Sequence, residues 1–188
     1  MQVTDARGFS RSASLFFVSP HQVNYQMPSE TAEGPATVVV SSGNGVVSRS
    51  SVQVASVAPG LFSANSEGTG VAAAFAVRVD PAGSQEVLPV FQCGGEPRTC
   101  TAVPVDLGTE GDQVFLILYG TGVRAAETVS VLVGGLPADV HYAGAQGEYV
   151  GLDQINALLP HTLRGRGLVE VSLDADGKMA NPVTMQVR

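Results

Sequence analysis

One stretch of this chain occurs twice. Gln22-Val23-Asn24 through Pro28 returns as Gln154-Ile155-Asn156 through Pro160. Gly34-Pro35-Ala36-Thr37-Val38-Val39-Val40 is echoed by Gly167-Leu168-Val169-Glu170-Val171-Ser172-Leu173. The turn Ser42-Gly43-Asn44-Gly45 is echoed by Asp174-Ala175-Asp176-Gly177, and Val52-Gln53-Val54 by Met185-Gln186-Val187. Upstream the match runs back through Leu15-Phe16-Phe17 against Val140-His141-Tyr142. Beyond that point the second copy continues back through Val129 to Val133 and Val114 to Tyr119, where the first has no counterpart. A repeat of this length is a domain-sized unit. The chain must therefore fold into something that can be built twice in 188 residues, the first time without its opening strands.

The residues inside the repeat are those of strands. Hydrophobic residues make up 44% and charged residues 14% of the chain, with 22 glycines and 11 prolines. Valine dominates and lysine is nearly absent. That composition suits short strands joined by tight turns, and it excludes a disordered chain. No apolar run approaches the length of a membrane-spanning helix, so insertion into a membrane is not expected.

Strand-like runs cover Ser14 to Val18, Val23 to Met27, Ala36 to Val40 and Ser51 to Val57, and Pro59-Gly60 reads as a junction. Residues 61–111 have no place in the repeat. Within them Val71 to Val79 and Glu86 to Gln92 read as a strand pair around Asp80-Pro81-Ala82-Gly83. This segment is expected to be a hairpin added to one sheet, or a connector. Val114 to Tyr119 reads as a buried central strand and Gly120-Thr121-Gly122 as a tight turn. Strands follow at Val129 to Val133, Asp139 to Tyr142, Gln154 to Leu159, Leu168 to Leu173 and Pro182 to Val187. Asp174-Ala175-Asp176-Gly177 is a hairpin signal, because Asp and Gly accept positive φ. The expected organisation is an incomplete first module over 1–60, an inserted segment over 61–111 and a complete second module over 112–188. Strands of this length and spacing indicate two-sheet sandwiches of immunoglobulin type, in tandem.

The second module resembles the IPT/TIG immunoglobulin-like domains through Tyr119-Gly120-Thr121-Gly122, Val131-Leu132-Val133-Gly134-Gly135, Gln154-Ile155-Asn156 with Pro160, and Gly167 to Val171. Almost the whole chain resembles an uncharacterised C-terminal domain family described from Solibacter and related acidobacteria. The carrying residues are Leu15 to Pro20, Gln22 to Gln26, Val57-Ala58-Pro59-Gly60-Leu61-Phe62, Asp106-Leu107-Gly108, Tyr119 to Gly122 and Tyr142 to Gln146. The resemblance implies a β-sandwich at the C-terminus of a large exported protein, and it supplies no catalytic residues. The chain departs from the pattern at His21, where a glycine-like turn residue is expected, and in lacking an earlier strand pair.

Charge and cysteines narrow the setting. Arg7, Arg11 and Arg49 balance Asp5, Glu30 and Glu33 over residues 1–58, so the whole net charge of −7 lies on the remainder. Nothing basic clusters, which argues against nucleic acid as a partner. Cys93 and Cys100 flank Gly94, Gly95 and Pro97, a turn that could bring the sulfurs together. A disulfide is the preferred reading and a pair of unpaired thiols the alternative. A disulfide implies an oxidising, extracellular or cell-surface address. The polar start Met1-Gln2-Val3-Thr4 has no signal-peptide pattern, so an export signal is expected upstream.

Candidate sites are sparse. Gln22 and Asn24, like Gln154 and Asn156, alternate along a strand and so share a face. With Tyr25 nearby, such amides could bind a polysaccharide; bridging of backbone at a strand end is the structural reading. No cofactor is expected: Asp106, Glu110 and Asp112 read as solvated loop carboxylates, with a bound calcium ion as the alternative. Asp174 and Asp176 resemble a fragment of a calcium loop, but a plain hairpin turn accounts for them better. His21, His141 and His161 lie in no nucleophile motif.

The sequence favours a non-catalytic structural or adhesion module making protein or surface contacts. A carbohydrate-binding module of a secreted enzyme is the alternative, and a hydrolase with a site near 61–111 the second. The incomplete first module adds an expectation of its own. A sandwich missing a strand leaves an open edge, which invites a protein partner or self-association. Filling of that edge from within the chain, by Val71 to Val79, is the preferred solution.

Overall fold

A computed structural model describes all residues except Val46 and Glu96–Arg98. The described chain is all-β, with one short 3-10 turn. It divides into two compact units, Met1–Ser56 and Val57–Arg188.

The first unit contains β1 (Gln2–Thr4), β2 (Ser10–Ser12), β3 (Leu15–Val18), β4 (Val23–Tyr25), β5 (Gly34–Ser41) and β6 (Val47–Val54). Four of them form an antiparallel sheet in the order β2-β1-β5-β6, and β3 and β4 form a separate two-stranded sheet. Alternation along β5 puts Ala36 and Val38 on the inner face, where Val3 and Ala13 join them. Among the described residues these four form the buried core of the unit, with Tyr25, Met27, Val52 and Val54 packed around them.

The second unit begins with β7 (Gly60–Leu61), β8 (Ala74–Val79), β9 (Gln85–Pro89), β10 (Phe91–Gly94), β11 (Thr99–Ala102) and β12 (Pro104–Val105). It continues with β13 (Gln113–Thr121), β14 (Val129–Val133), β15 (Leu136–Ala145) and β16 (Asp153–Leu158). The 3-10 turn His161–Leu163, β17 (Gly167–Ala175), β18 (Lys178–Met179) and β19 (Val183–Val187) complete it. The principal sheet runs β12-β19-β17-β14-β15-β16-β13-β8-β9. The first part of β15 pairs with β14 and the last part with β16, with a register shift between Val140 and Tyr142. Residues from both ends of this path, such as Val133, Leu173 and Met185 from one and Leu116, Ile155 and Ala76 from the other, belong to one buried cluster. The sheet thus turns back on itself at β15 and closes around a single core, as a β-bulge permits.

The repeat is visible in the strand pairing. Gly34 faces Val54 and Val38 faces Ser50; at the same spacing Gly167 faces Val187 and Val171 faces Val183. Val3 faces Val38 on β5, as Val133 faces Val171 on β17. The β3–β4 pair breaks register between Leu15 and Phe17, and β15–β16 breaks register between Val140 and Tyr142. Phe16 and His141 are therefore the same bulge in two copies. Strands β1 to β6 correspond to β14 to β19, with β2 and β3 together standing for β15.

Four expectations change. The first copy does have a counterpart of Val129–Val133, strand β1, whose Val3 faces Val38 as Val133 faces Val171; the counterpart it lacks is that of Val114 to Tyr119. The junction falls after Ser56, and Val57, Ala58 and β7 belong to the second unit: Val57 is buried in its core and Ala58 N–H bonds Gly122 O at 3.0 Å. The 61–111 segment is a hairpin added to a sheet, but its β8 pairs with β13 from Ala74–Leu118 to Val79–Gln113. It therefore does not fill the edge of the first unit. Gly120-Thr121-Gly122 is the end of β13 more than a turn. A Cβ on Gly120 would lie 2.4 Å from Gly60 O, and one on Gly122 2.0 Å from Ala58 O. Glycine is needed there because β7 crosses β13 at backbone contact.

Candidate interaction site

The β3–β4 hairpin is the part of the chain whose chemistry does not match its surroundings. Leu15-Phe16-Phe17-Val18 has high β propensity and pairs with Tyr25, Asn24 and Val23. A short turn closes it: Ser19 N–H bonds Gln22 O at 2.8 Å, and Ser19 Oγ accepts from Gln22 N–H at 3.0 Å. All four residues of β3 are exposed, Leu15 by 46%, Phe16 by 59%, Phe17 by 50% and Val18 by 63%. Consecutive exposed large apolar side chains mark an interaction surface more often than chance exposure does.

The second copy shows what this hairpin looks like when finished. Its β16 is flanked by β15 on one side and by β13 on the other, from Phe115–Leu158 to Gly120–Asp153. Ile155 and Ala157 are fully buried. Their counterparts in β4, Val23 and Tyr25, are only half-buried. Among the described residues β4 pairs with β3 alone. A row of main-chain N–H and C=O groups is thus left on its outer side.

The repeated amides are a matched pair of structural links. Gln22 Nε2 donates to Asn24 Oδ1 at 2.7 Å, and Gln154 Nε2 donates to Asn156 Oδ1 at 2.8 Å. Each occupies one amide of its neighbour on the same strand face. Tyr25 is half-buried and packs on the first core. Tyr142 lies opposite Asn156 and donates its hydroxyl to Ala145 O.

The position before each amide pair differs, and the difference is informative. Asp153 is fully buried and accepts from Val123 N–H at 2.8 Å, Arg124 N–H at 3.2 Å and Arg124 Nε at 2.6 Å. It holds the chain as it leaves β13. Its counterpart in the first copy is His21, an exposed turn residue whose N–H bonds Ser19 Oγ at 3.3 Å. Where β13 has no counterpart, neither does its clamp.

The other candidate residues are dispersed. Asp106 accepts from Gly108 N–H and from Arg188 Nη2, each at 3.0 Å. The Gly108 hydrogen bond is the main cause holding its carboxyl below the usual range, with Arg188 second. Asp112 Oδ2 accepts from Thr109 N–H at 2.6 Å, and Glu110 is exposed. Among the described residues no three acidic, His or Cys side chains converge on a point that could hold a metal ion. Asp176 sits with Gly177 at the two-residue turn of the β17–β18 hairpin, both at positive φ, as the sequence predicts. Its carboxylate accepts from Thr128 N–H at 2.8 Å and Glu127 N–H at 3.1 Å, which lowers its pKa.

His161, Asp112, Asp80 and Asp139 line a groove of about 560 Å³. His161 Nε2 lies 2.8 Å from the Asp112 carbonyl oxygen, and no Ser, Thr or Cys lines the groove. His141 packs edge-on against Phe115 at 5.1 Å. Cys93 and Cys100 are directly opposite on β10 and β11 and form a disulfide.

Sequence reading misses two anchors. Buried Asp5 accepts from Arg7 and Phe9 N–H at 3.0 Å, Ala32 N–H at 3.2 Å and Arg11 Nη1 at 2.8 Å. Asn181 accepts from Leu61 N–H and donates to Leu61 O and Gly68 O. The Asp5-Ala6-Arg7-Gly8 turn carries a signal for the first; the partners of Asn181 are too distant in sequence to leave one. Among the described residues no helix is long and apolar enough to cross a membrane. No family model, curated protein or solved structure matches this chain.

Proposed function

We propose that this chain is a non-catalytic, extracellular protein-interaction module, built as tandem immunoglobulin-like units of IPT/TIG type and related to the exported C-terminal domains it resembles. The observation that carries the reading is the contrast between two copies of one hairpin. β15–β16 is closed over by β13, while β3–β4 presents Leu15 to Val18 to solvent beside a strand that is paired on one edge alone. A contiguous apolar patch of this kind is stabilised by a protein surface and disfavoured in water. The disulfide supports the extracellular address.

Two sets of probes test this on the whole chain: a displayed library of random peptides and a glycan array. Enrichment of apolar peptides, lost in Phe17→Asp, is the expected result. Glycan binding that survives Phe17→Asp and disappears in Asn24→Ala with Asn156→Ala would replace it with the carbohydrate-binding reading. That reading draws on Tyr142 beside Asn156. An empty selection on both would refute the interaction role.

A further inference from the structure

Resting on that reading, we propose that the outer edge of β4 accepts one strand from a partner protein. The strand is an extended, apolar, uncharged segment that runs antiparallel to β4 and takes the place β13 holds beside β16.

The internal repeat supplies the template for this occupant. In the finished copy Leu116 faces Ala157, Ile117 faces Asn156, Leu118 faces Ile155 and Tyr119 faces Gln154. Transferred through the repeat, a guest strand places its four corresponding residues opposite Tyr25, Asn24, Val23 and Gln22. Residues opposite one another across a ladder share a face. The guest's first side chain then lies beside Tyr25, which packs on the small core of Val3, Ala13, Ala36 and Val38, and its third lies beside Val23. In β13 the residues at those two places, Leu116 and Leu118, are fully buried. The guest therefore needs large apolar side chains at alternate positions. Main-chain bonds to β4 provide affinity, and the alternate side chains provide selectivity.

Neither β13 nor β8 is free to be the occupant. β13 is hydrogen-bonded to β16 on one side and β8 on the other, and β8 lies between β13 and β9. A second copy could donate β13 only by exposing Val114, Leu116 and Leu118, which are fully buried. No charge needs matching: Leu15 to Val18 and Val23 to Tyr25 contain no ionisable carboxylate or amine. A charged guest would leave its own charge unpaired against this face.

The test uses the full chain and a fluorescein-labelled peptide with the sequence of Gln113–Thr121, flanked by lysines for solubility. Fluorescence anisotropy is expected to show saturable one-to-one binding, at least tenfold tighter than a scrambled peptide. Hydrogen exchange is expected to show new protection at Val23–Tyr25. Only alternate N–H groups of a guest point toward β4. N-methylating one alternate set should abolish binding, and N-methylating the other should leave it within a few-fold. Equal binding of the scrambled peptide, tolerance of both N-methylated sets, or protection at Asp153–Leu158 instead would overturn the proposal. So would absence of binding at the peptide's solubility limit, or a concentration-dependent dimer that protects β4 without peptide. If both N-methylated sets bind, the strand model fails while the interaction role stands. An empty library selection removes that role itself.

Discussion

The two units differ so much in core size that they should unfold separately, and Val3→Ala tests this. Val3 is fully buried and, among the described residues, is one of four buried in the first unit's core. The substitution deletes two methyl-sized groups, about 0.8 kcal/mol each for transfer. The residual cavity adds to this, for a total of about 2–3 kcal/mol. A domain of residues 1–56 should have roughly 3–8 kcal/mol of stability in all. The variant thus removes about a quarter or more of it. For a unit of this size that lowers the melting temperature by about 10–20 °C. The assay is calorimetry combined with segment-resolved hydrogen exchange. The first transition should fall, with lost protection in Gly34–Ser41 and Val47–Val54. Protection of Gln113–Thr121 and Asp153–Leu158 should not change. Leu116→Ala is the mirror experiment: Leu116 is fully buried in the larger core, and its loss of about 2–5 kcal/mol should move only the second transition. If Val3→Ala weakens β13 and β16 as much as β5 and β6, the units fold as one and the argument fails. The same weakness gives strand addition its leverage. A guest that binds only the folded first unit raises its stability by RT ln(1 + [L]/Kd).

Three further outcomes follow from single sites. Burial pushes the Asp5 carboxyl up, but hydrogen bonds from Ala32, Phe9, Arg11 and Arg7 outweigh it and hold the pKa below the ordinary value of 3.8. Its contribution is therefore fully present above pH 3.8 and lost as pH falls through the folded-state value; the first transition should weaken with acid, and Asp5→Asn should flatten that dependence in calorimetric scans. Cys93→Ser with Cys100→Ser opens a cross-strand link and should cost about 2–3 kcal/mol by urea denaturation, with exchange rising first in Phe91–Gly94 and Thr99–Ala102; an unchanged midpoint would show the link to be dispensable. Gly122→Ala forces a Cβ against Ala58 O at positive φ, whereas Gly135→Ala meets nothing within 4 Å. The second should cost only the left-handed penalty of about 1–2 kcal/mol, and the first clearly more, with exposure of Gly60–Leu61 to exchange.

The local features are legible in the sequence because each is written in neighbouring residues. Alternation and β-branched runs identify β5, β13 and β17, and Asp176-Gly177 identifies its hairpin turn. The repeated Gln-x-Asn segments identify equivalent strands, and the structure gives them the same hydrogen bond between side-chain amides and the same neighbouring bulge. β1 and β2 leave no such signal, because three-residue strands of mixed polarity carry too little periodicity to stand out.

What the amino-acid sequence determined by itself was the class of element and the fact of repetition: a side chain's β preference, a turn's φ and a strand's alternation are local. Which strand lies beside which was decided only by the tertiary structure. Ladder bonds join residues far apart in the chain, and either edge of β8 could have served either unit as far as its own residues show. It pairs with β13 and adds to a large common core, where burial is greatest. β4 keeps an unpaired edge for the same reason. The repeat prescribes a neighbour for that edge, and the strand that matches the prescription is already paired on both sides.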